Sequence, residues 1–273
     1  MNTKTDNDSE TKKSEIFNFK AMKTFQFLIL ILLILFLGII THVDDIFVEG
    51  NNDLLKESRE ITGFDAIASS GDFKVIVKPG DAYSVEVKAE SNLLSYIETI
   101  VVHNTLKIRT RGIHSLLQNY PVEVFITTPV LNGLYLSGSG MITTGRFASN
   151  EFNISISGSG DIDTKINTGS MKANIVGSGN IFLEGDSKVG RFLIVGSGKI
   201  KSYQSQQRNC DAIILGSGAL YVNTLETIDA RISGSGSVFY INHPIISKSI
   251  YGSGKVLDMN QNKGQFTDLK SYK

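Results

Sequence analysis

The chain has 273 residues, and its 27 basic and 27 acidic residues give a formal net charge of zero at pH 7. This balance provides no argument for a nucleic-acid partner or an acidic substrate, and we expect no nucleic-acid binding. Cys210 is the only cysteine, which excludes an intrachain disulfide and a cysteine-based metal site. The length allows one large domain or two small ones.

The N-terminal segment is expected to target the chain to a membrane. Residues 1–23 are polar and predicted to form a cytoplasmic tail, and residues 24–42 contain an uncharged run from Phe25 to Ile40. This run is either a transmembrane signal anchor or a cleaved signal peptide. No small-x-small cleavage site follows it, which favours the anchor. Because lysines precede the run and acidic residues follow it, we expect the chain after about residue 44 to lie outside the cytoplasm.

Residues 43–60 are predicted to form a linker. Beyond them, alternation of apolar and polar residues predicts six strands, separated by turn sequences such as SSGD and KPGD. The predicted strands are Phe64–Ala68, Phe73–Lys78, Ser84–Ala89, Tyr96–Val102, Thr105–Arg109 and Val122–Thr127. We expect them to form irregular first coils that cap a repeat domain.

The repeat itself is the tripeptide Gly-Ser-Gly. It occurs seven times at intervals of 18 to 20 residues, with first glycines at 138, 158, 177, 196, 216, 234 and 252. An aliphatic residue stands two positions before each first glycine (Leu136, Ile156, Ile175, Ile194, Ile214, Ile232, Ile250). Another stands four positions after it (Ile142, Ile162, Ile181, Ile200, Leu220, Val238, Val256).

This periodicity predicts an all-β fold, a single-stranded right-handed parallel β-helix over residues 61–258. A unit of this length is too short for a two-helix repeat but suits one coil of about three short strands. The right hand follows the general preference for right-handed crossovers. The two aliphatic columns are expected inside, and the serines in an outward ladder. The glycines either continue a strand or form a corner that tolerates positive φ. Residues 259–273 are predicted to form a polar tail.

These residues resemble the putative auto-transporter adhesin head GIN domain family. The resemblance rests on FDAIASSGDFKVIVKPGD, LKIRT, VEVFITTPVLNGLYLSGSG and the recurring SGSG units, and it covers about residues 61–256. It implies a single-stranded β-helix, a location in the bacterial cell envelope and an adhesin role. It implies no catalytic residues.

No motif of the sequence indicates catalysis or cofactor binding, and we assign no catalytic, cofactor-binding or metal-binding residue. Gly-Ser-Gly lacks the strand-turn-helix context of a nucleophile elbow, and the third glycine of a phosphate loop is missing. Asp161 and Asp163 form the one carboxylate pair at strand spacing beside a repeat, but other coils do not repeat it. The remaining candidates are interpreted as structural or solvated: the basic stripe Lys107, Arg109 and Arg111, the scattered His42, His103, His114 and His243, and Cys210, which we expect to be buried.

The sequence therefore predicts a membrane-anchored, non-catalytic binding protein of the cell envelope. Its partner would be a glycan or a protein outside the cytoplasm, and its oligomeric state is open. Two alternatives remain. One is a self-associating envelope scaffold, and the other is a β-helix enzyme acting on polysaccharides.

Overall fold

A computed structural model describes residues 46–262 of the chain. The predicted cytoplasmic tail, the predicted membrane segment and residues 263–273 of the predicted C-terminal tail lie outside the described residues. Among residues 46–262, no helix is long and apolar enough to cross a membrane. Apart from two 3-10 turns, Leu94–Tyr96 and Asn260–Asn262, the regular structure of these residues is β-strand. From Glu49 onward the described chain forms one compact unit.

Nine strands precede the first Gly-Ser-Gly. They are β1 (Phe47–Glu49), β2 (Leu54–Arg59), β3 (Ala66–Ser70), β4 (Phe73–Pro79), β5 (Ser84–Glu90), β6 (Ile97–Val102), β7 (Thr105–Thr110), β8 (Ser115–Leu117) and β9 (Val122–Thr128). The six predicted strands correspond to β3–β7 and β9. Alternation located them because their inward side chains are aliphatic and their outward ones polar, as in β4, where Val75 and Val77 are fully buried.

Stacked coils follow. Their strands are β10 (Gly133–Gly138), β11 (Met141–Gly158), β12 (Asp161–Gly177), β13 (Asn180–Gly196), β14 (Lys199–Gly216), β15 (Ala219–Gly234), β16 (Ser237–Ile241), β17 (Ile245–Gly252) and β18 (Lys255–Asp258). Each coil pairs in parallel with the next, so the fold is an all-β, right-handed-like solenoid of about seven turns. Strand geometry runs through most of each coil instead of breaking into short separate strands.

Each Gly-Ser-Gly forms a corner of the solenoid. The first glycine has positive φ in all seven copies, from +109° at Gly138 to +130° at Gly177, a conformation that favours glycine. Its carbonyl accepts hydrogen bonds from the next coil, and the Gly158 oxygen lies 2.9 Å from Ser178 N and 3.1 Å from Gly179 N. All seven serines are exposed. The corner interpretation and the outward serine ladder are confirmed, and the uninterrupted strand is wrong.

The two aliphatic columns form the core, as predicted. Their members are at most 2% exposed in every coil but the last, where Ile250 is 37% exposed. Equivalent side chains stack directly because the register places each on its counterpart, for example Ile175 on Ile194. Stacking identical shapes about 4.8 Å apart buries apolar surface that a single coil would leave open.

The first coils are not stacked in chain order. β3 lies between β10 and β7, and β4 lies between β11 and β9, all in parallel pairs. The coil of β3 and β4 is thus inserted between segments that follow it in sequence. Gly71, with φ +127°, continues the corner column beneath Gly138, and its carbonyl accepts a bond from Gly140 N at 3.1 Å. The SSGD sequence is therefore a further corner.

Antiparallel strands close this end of the solenoid. β6 pairs with β7, β5 with β9, and β2 with β5. The prediction of an irregular cap is confirmed, and such a cap protects the edges of the sheet. The single-stranded parallel β-helix predicted for residues 61–258 holds from β10 onward, whereas the strands before it form a mixed structure.

The structure also contains two strands, β1 and β2, within residues 43–60, which we predicted to be a linker. The sequence LLKESR of β2 shows no apolar alternation, so no pattern indicated a strand; backbone pairing with β5 holds it in place. The fully buried carboxylate of Glu90 fastens the preceding turn, accepting bonds from Asn52 N at 2.9 Å and Asn119 N at 3.0 Å. Burial alone would raise the pKa of Glu90, but these bonds lower it below its usual value.

Candidate binding surfaces

Each coil has three outward faces, which we define on β12. Face B comprises residues 161–164 after the Gly-Ser-Gly corner, face C residues 165–169, and face A residues 170–176 before the next corner. Register irregularities between Thr143 and Arg146, and between Ser202 and Gln206, separate faces B and C in neighbouring coils. Side chains at equivalent positions form columns along each face.

A polar groove of about 500 Å³ opens on face C. Its lining residues come from four successive coils and include Asn167, Thr168, Asp186, Ser187, Lys188, Gln206, Gln207, Arg208 and Leu225. The volume falls within the roughly 300–1,000 Å³ of ligand pockets. Amide, hydroxyl, guanidinium and carboxylate groups together can donate to and accept from a polyhydroxylated ligand.

The floor of the groove belongs to an inward polar column. The register stacks Thr168, Ser187, Gln207 and Thr224 in successive coils, and all four are buried. Gln207 Nε2 donates to Thr224 Oγ1 at 3.3 Å. The Ser187 hydroxyl, although buried, makes no hydrogen bond to any of residues 46–262. The described residues therefore leave its hydrogen-bonding capacity unused, while the oxygen atom itself is shielded from solvent.

The walls of the groove are exposed and only loosely held. Asn167 Oδ1 accepts a bond from Asp186 N at 3.1 Å, so this carbonyl oxygen is used within the protein, and the Nδ2 group is oriented by the same contact. Arg208 lies 3.5 Å from Glu226, and both side chains are more than half exposed. Exposed pairs of this kind contribute little to stability, so Arg208 can exchange partners at small cost.

A second surface, on face A, is apolar. We call Val176, Leu193, Val195, Ile213 and Leu215 the aliphatic patch; they occupy two adjacent outward columns on β12–β14. Charged side chains border it in the neighbouring column, in the order Lys172, Arg191, Asp211, Asp229 along successive coils. Val176 and Leu215 are exposed, and the other three are partly buried. An outward aliphatic patch with a charged border is typical of an interaction surface.

Face B carries an aromatic column instead. Phe182, Lys201, Tyr221 and Phe239 follow one another in register. Tyr221 and Phe239 stack at 4.8 Å with an interplanar angle of 11°, and Lys201 Nζ lies 4.8 Å from the centre of the Phe182 ring. The ring faces are thus occupied by neighbours in the column, and we interpret the column as a contribution to coil stacking. Burial and the nearby Lys199 lower the pKa of Lys201.

The carboxylate pair noted in the sequence lies on face B, away from the groove. Asp161 Oδ1 accepts bonds from the side chain of Asn180 at 2.9 Å and from its backbone N at 3.2 Å, while Asp163 is exposed. The register places Asn180 and Phe182 next to them, so the adjoining coil does not repeat the pair. Within residues 46–262, no three His, Cys, Asp or Glu side chains come together as a metal site would require.

The other residues singled out from the sequence are dispersed. In the basic stripe, Arg109 Nε pairs with Glu98 at 2.6 Å, so part of its charge is compensated. His103 occupies a turn with φ +50°. Cys210 is buried as predicted, and burial raises the pKa of its thiol. Sequence reasoning missed the groove and the patch because their members are about 20 residues apart; only the repeat register could have aligned them.

The fold defines a class of protein: a β-solenoid of stacked parallel coils, with a polar groove and an aliphatic patch on its outer faces. A family profile described as "Putative auto-transporter adhesin, head GIN domain" matches residues 63–244, and the chain belongs to this family. The resemblance seen in the sequence is thereby confirmed. None of the curated proteins matches the chain.

Several solved structures are similar. A putative adhesin from Bacteroides fragilis NCTC 9343 has a TM-score of 0.74 and 22% identity, and the match covers 77% of this chain and 99% of that one. A putative lipid binding protein from Parabacteroides distasonis ATCC 8503 has a TM-score of 0.67 and 26% identity, with 78% and 99% covered. A putative adhesin from Parabacteroides merdae ATCC 43184 has a TM-score of 0.68 and 18% identity, with 78% and 98% covered.

Proposed function

We propose that the chain is a non-catalytic binding protein of the cell envelope that recognises an extracytoplasmic glycan through the polar groove. The observation that carries this proposal is the composition of the groove. Buried hydroxyl and amide groups form its floor, and exposed amide, guanidinium and carboxylate groups form its walls. Sugar hydroxyls both donate and accept hydrogen bonds, so they match such a mixture of donors and acceptors.

The envelope location is supported by family membership, since adhesin-like proteins act outside the cytoplasm. We propose that the run from Phe25 to Ile40 anchors the chain in the membrane and leaves the solenoid outside. An epitope tag placed after Lys273 tests this. Protease should remove the tag from intact cells if the solenoid is at the surface. Protection that persists after the outer barrier alone is breached would contradict an extracytoplasmic location.

The groove has the chemistry of binding rather than hydrolysis. Asp186 is the one carboxylate among the described residues that line it, whereas glycoside hydrolysis commonly uses two carboxyl groups flanking the bond. Asp161 and Asp163 lie on a different face and cannot complete such a pair. We therefore rank the alternative of a polysaccharide-acting enzyme below that of a non-catalytic binding protein.

The test is a binding screen of the full-length chain on immobilised neutral and acidic polysaccharides, followed by substitutions. Gln206→Ala and Arg208→Ala should each weaken binding about tenfold, because each removes one or two hydrogen bonds of about 1 kcal/mol. Gln204→Ala is the matched control, since Gln204, like Gln206, is exposed on the same strand but does not line the groove. Equal affinity of all three variants for a bound polysaccharide would contradict the proposed site.

A further inference from the structure

We infer that face A mediates a two-fold symmetric homodimer, in which the aliphatic patch of one copy packs on that of a second copy with the solenoid axes antiparallel. Val176 is 52% exposed and Leu215 is 45% exposed, and both lie in the same outward column as Val195. Covering these side chains removes apolar area from water, which favours association. This inference concerns a different face from the proposed glycan groove.

The order of the charged residues beside the aliphatic patch indicates that a second copy of this chain covers it. In one outward column of face A, Lys172 and Arg191 lie on β12 and β13, whereas Asp211 and Asp229 lie on β14 and β15. One half of the column is therefore basic and the other acidic. Such a sequence of charges is complementary to itself when it is reversed, which is the relation that a two-fold axis creates.

The geometry of the axis follows from this order. A two-fold axis parallel to the strands, between β13 and β14, places β13 of one copy opposite β14 of the other. Arg191 then faces Asp211 of the second copy. On the next coils outward, Lys172 faces Asp229 of the second copy.

The same operation also matches the apolar residues. Leu193 lies opposite Ile213 of the second copy, and Val195 lies opposite Leu215 of the second copy. A two-fold axis along the solenoid would instead place β13 opposite its own copy. Because face A of β13 carries no acidic residue, Arg191 would then find no opposite charge.

The charges at the centre of the face are weakly held within one chain, whereas farther out Asp229 also accepts a bond from Arg231 Nη2 at 2.8 Å, between side chains that are about half exposed. Within one chain Arg191 Nε lies 3.7 Å from Asp211 Oδ2, and both side chains are more than half exposed. A long, exposed pair of this kind is weak. Packing a second copy over it would reduce solvent screening and add an oppositely charged neighbour to each member.

The area of face A indicates how strongly the two copies should associate. The face A segments of β11–β15 and β17 extend beyond the patch; six strands about 4.8 Å apart and seven residues of about 3.3 Å each give a face of roughly 650 Å² per copy. This is somewhat below the roughly 800 Å² per partner of a standard interface, so we expect a reversible dimer that depends on concentration. An isologous contact of this kind closes on itself and does not extend into a filament.

The test uses two differently tagged full-length copies expressed in the same cells, with capture through one tag and detection of the other. Wild-type copies should be captured together. Arg191→Asp in both copies, or Asp211→Arg in both, should reduce capture about tenfold or more, because each change places like charges opposite one another on both sides of the axis. Arg191→Asp in one copy and Asp211→Arg in the other should restore capture, since opposite charges then meet again.

The restored pair also shows that both variants fold. Lys199→Asp, on face B, is the charge-matched control and should leave capture unchanged. Absence of wild-type capture would overturn the inference, as would capture that is insensitive to both single variants or not restored in the mixed pair. Monomeric chain that binds phosphatidylglycerol vesicles, with binding lost in Leu215→Glu, would assign the patch to a lipid surface and likewise overturn the dimer.

Discussion

Replacing Gly177 by alanine should destabilise the solenoid by about 3 kcal/mol. Gly177 has φ +130°, and holding a non-glycine residue in such a region costs on the order of 1–3 kcal/mol. The added Cβ would also come closer than 3.0 Å to the Gly158 carbonyl oxygen, which is backbone and cannot turn away. That oxygen accepts bonds from Ser178 N and Gly179 N, and disturbing each costs about 0.5–1.5 kcal/mol. Reduced freedom of the unfolded chain offsets about 0.4–1 kcal/mol of this loss.

The assay is thermal unfolding of the full-length chain followed by far-UV circular dichroism, because the chain contains no tryptophan. For a domain of this size, about 3 kcal/mol corresponds to a decrease in Tm of roughly 6–12 °C. Ser178→Ala is the control; Ser178 is exposed, and this change should shift Tm by less than about 2 °C. If Gly177→Ala unfolded within that same margin, the corner would not require glycine and the structural explanation of the repeat would fail.

Three further predictions follow from the core, the cap and the last coil. Ile194→Ala should lower the free energy of unfolding by about 2–5 kcal/mol in denaturant titrations, because Ile194 is fully buried in the aliphatic column, and Lys199→Ala should change it little. Hydrogen bonding lowers the pKa of Glu90 in the folded chain, so the stability that this carboxylate contributes should be complete above the unfolded pKa near 4.5 and be lost as the pH falls through the folded pKa. Glu90→Gln should flatten this pH dependence of Tm. An unchanged profile would argue against a stabilising role for the hydrogen bonds to Glu90. Lys248 stacks on Ala230 in an inward column yet is exposed at the edge strand β17, so Lys248→Ile should increase aggregation measured by light scattering, whereas Lys248→Glu should not.

The coil architecture was predictable because equivalent positions in successive coils make the same contacts and therefore require the same type of residue. Every coil needs an aliphatic side chain at the same two interior positions and a glycine where the chain turns, so Ile175 and Gly177 have counterparts throughout the repeat. The strands of the cap were found for a simpler reason. Each has one buried face, and burial of alternate residues is visible in a single sequence.

The arrangement of the cap was not predictable in the same way. Nothing in the pattern of β3 states that its neighbours are β7 and β10, because strand pairing depends on contacts far apart in the chain. One signal was available: Gly71 is followed four residues later by Val75, the spacing that every corner glycine shows. The preceding aliphatic position holds Ser69 instead, and this departure concealed the corner.

The candidate groove was not visible in the sequence because the residues that line it need not be of the same type in successive coils. Asn167, Asp186 and Gln206 lie beside one another but differ in chemical type, and each looks like an ordinary surface residue in its own coil. Ser187 is hidden for another reason. Its inward position, which other coils fill with larger polar groups such as Gln207, is apparent only when the register is known.

The inserted coil has a mechanical consequence under the proposed N-terminal anchoring. Tension on that end first strips the antiparallel edge formed by β2 and β5. It then reaches β3 and β4, which are held between β7 and β9 on one side and β10 and β11 on the other. These strands cannot be peeled away one row at a time; two rows of hydrogen bonds must shear together. The coil of β3 and β4 therefore resists pulling from the N-terminal side more strongly than the sequentially wound coils of β12–β15, which can detach one at a time.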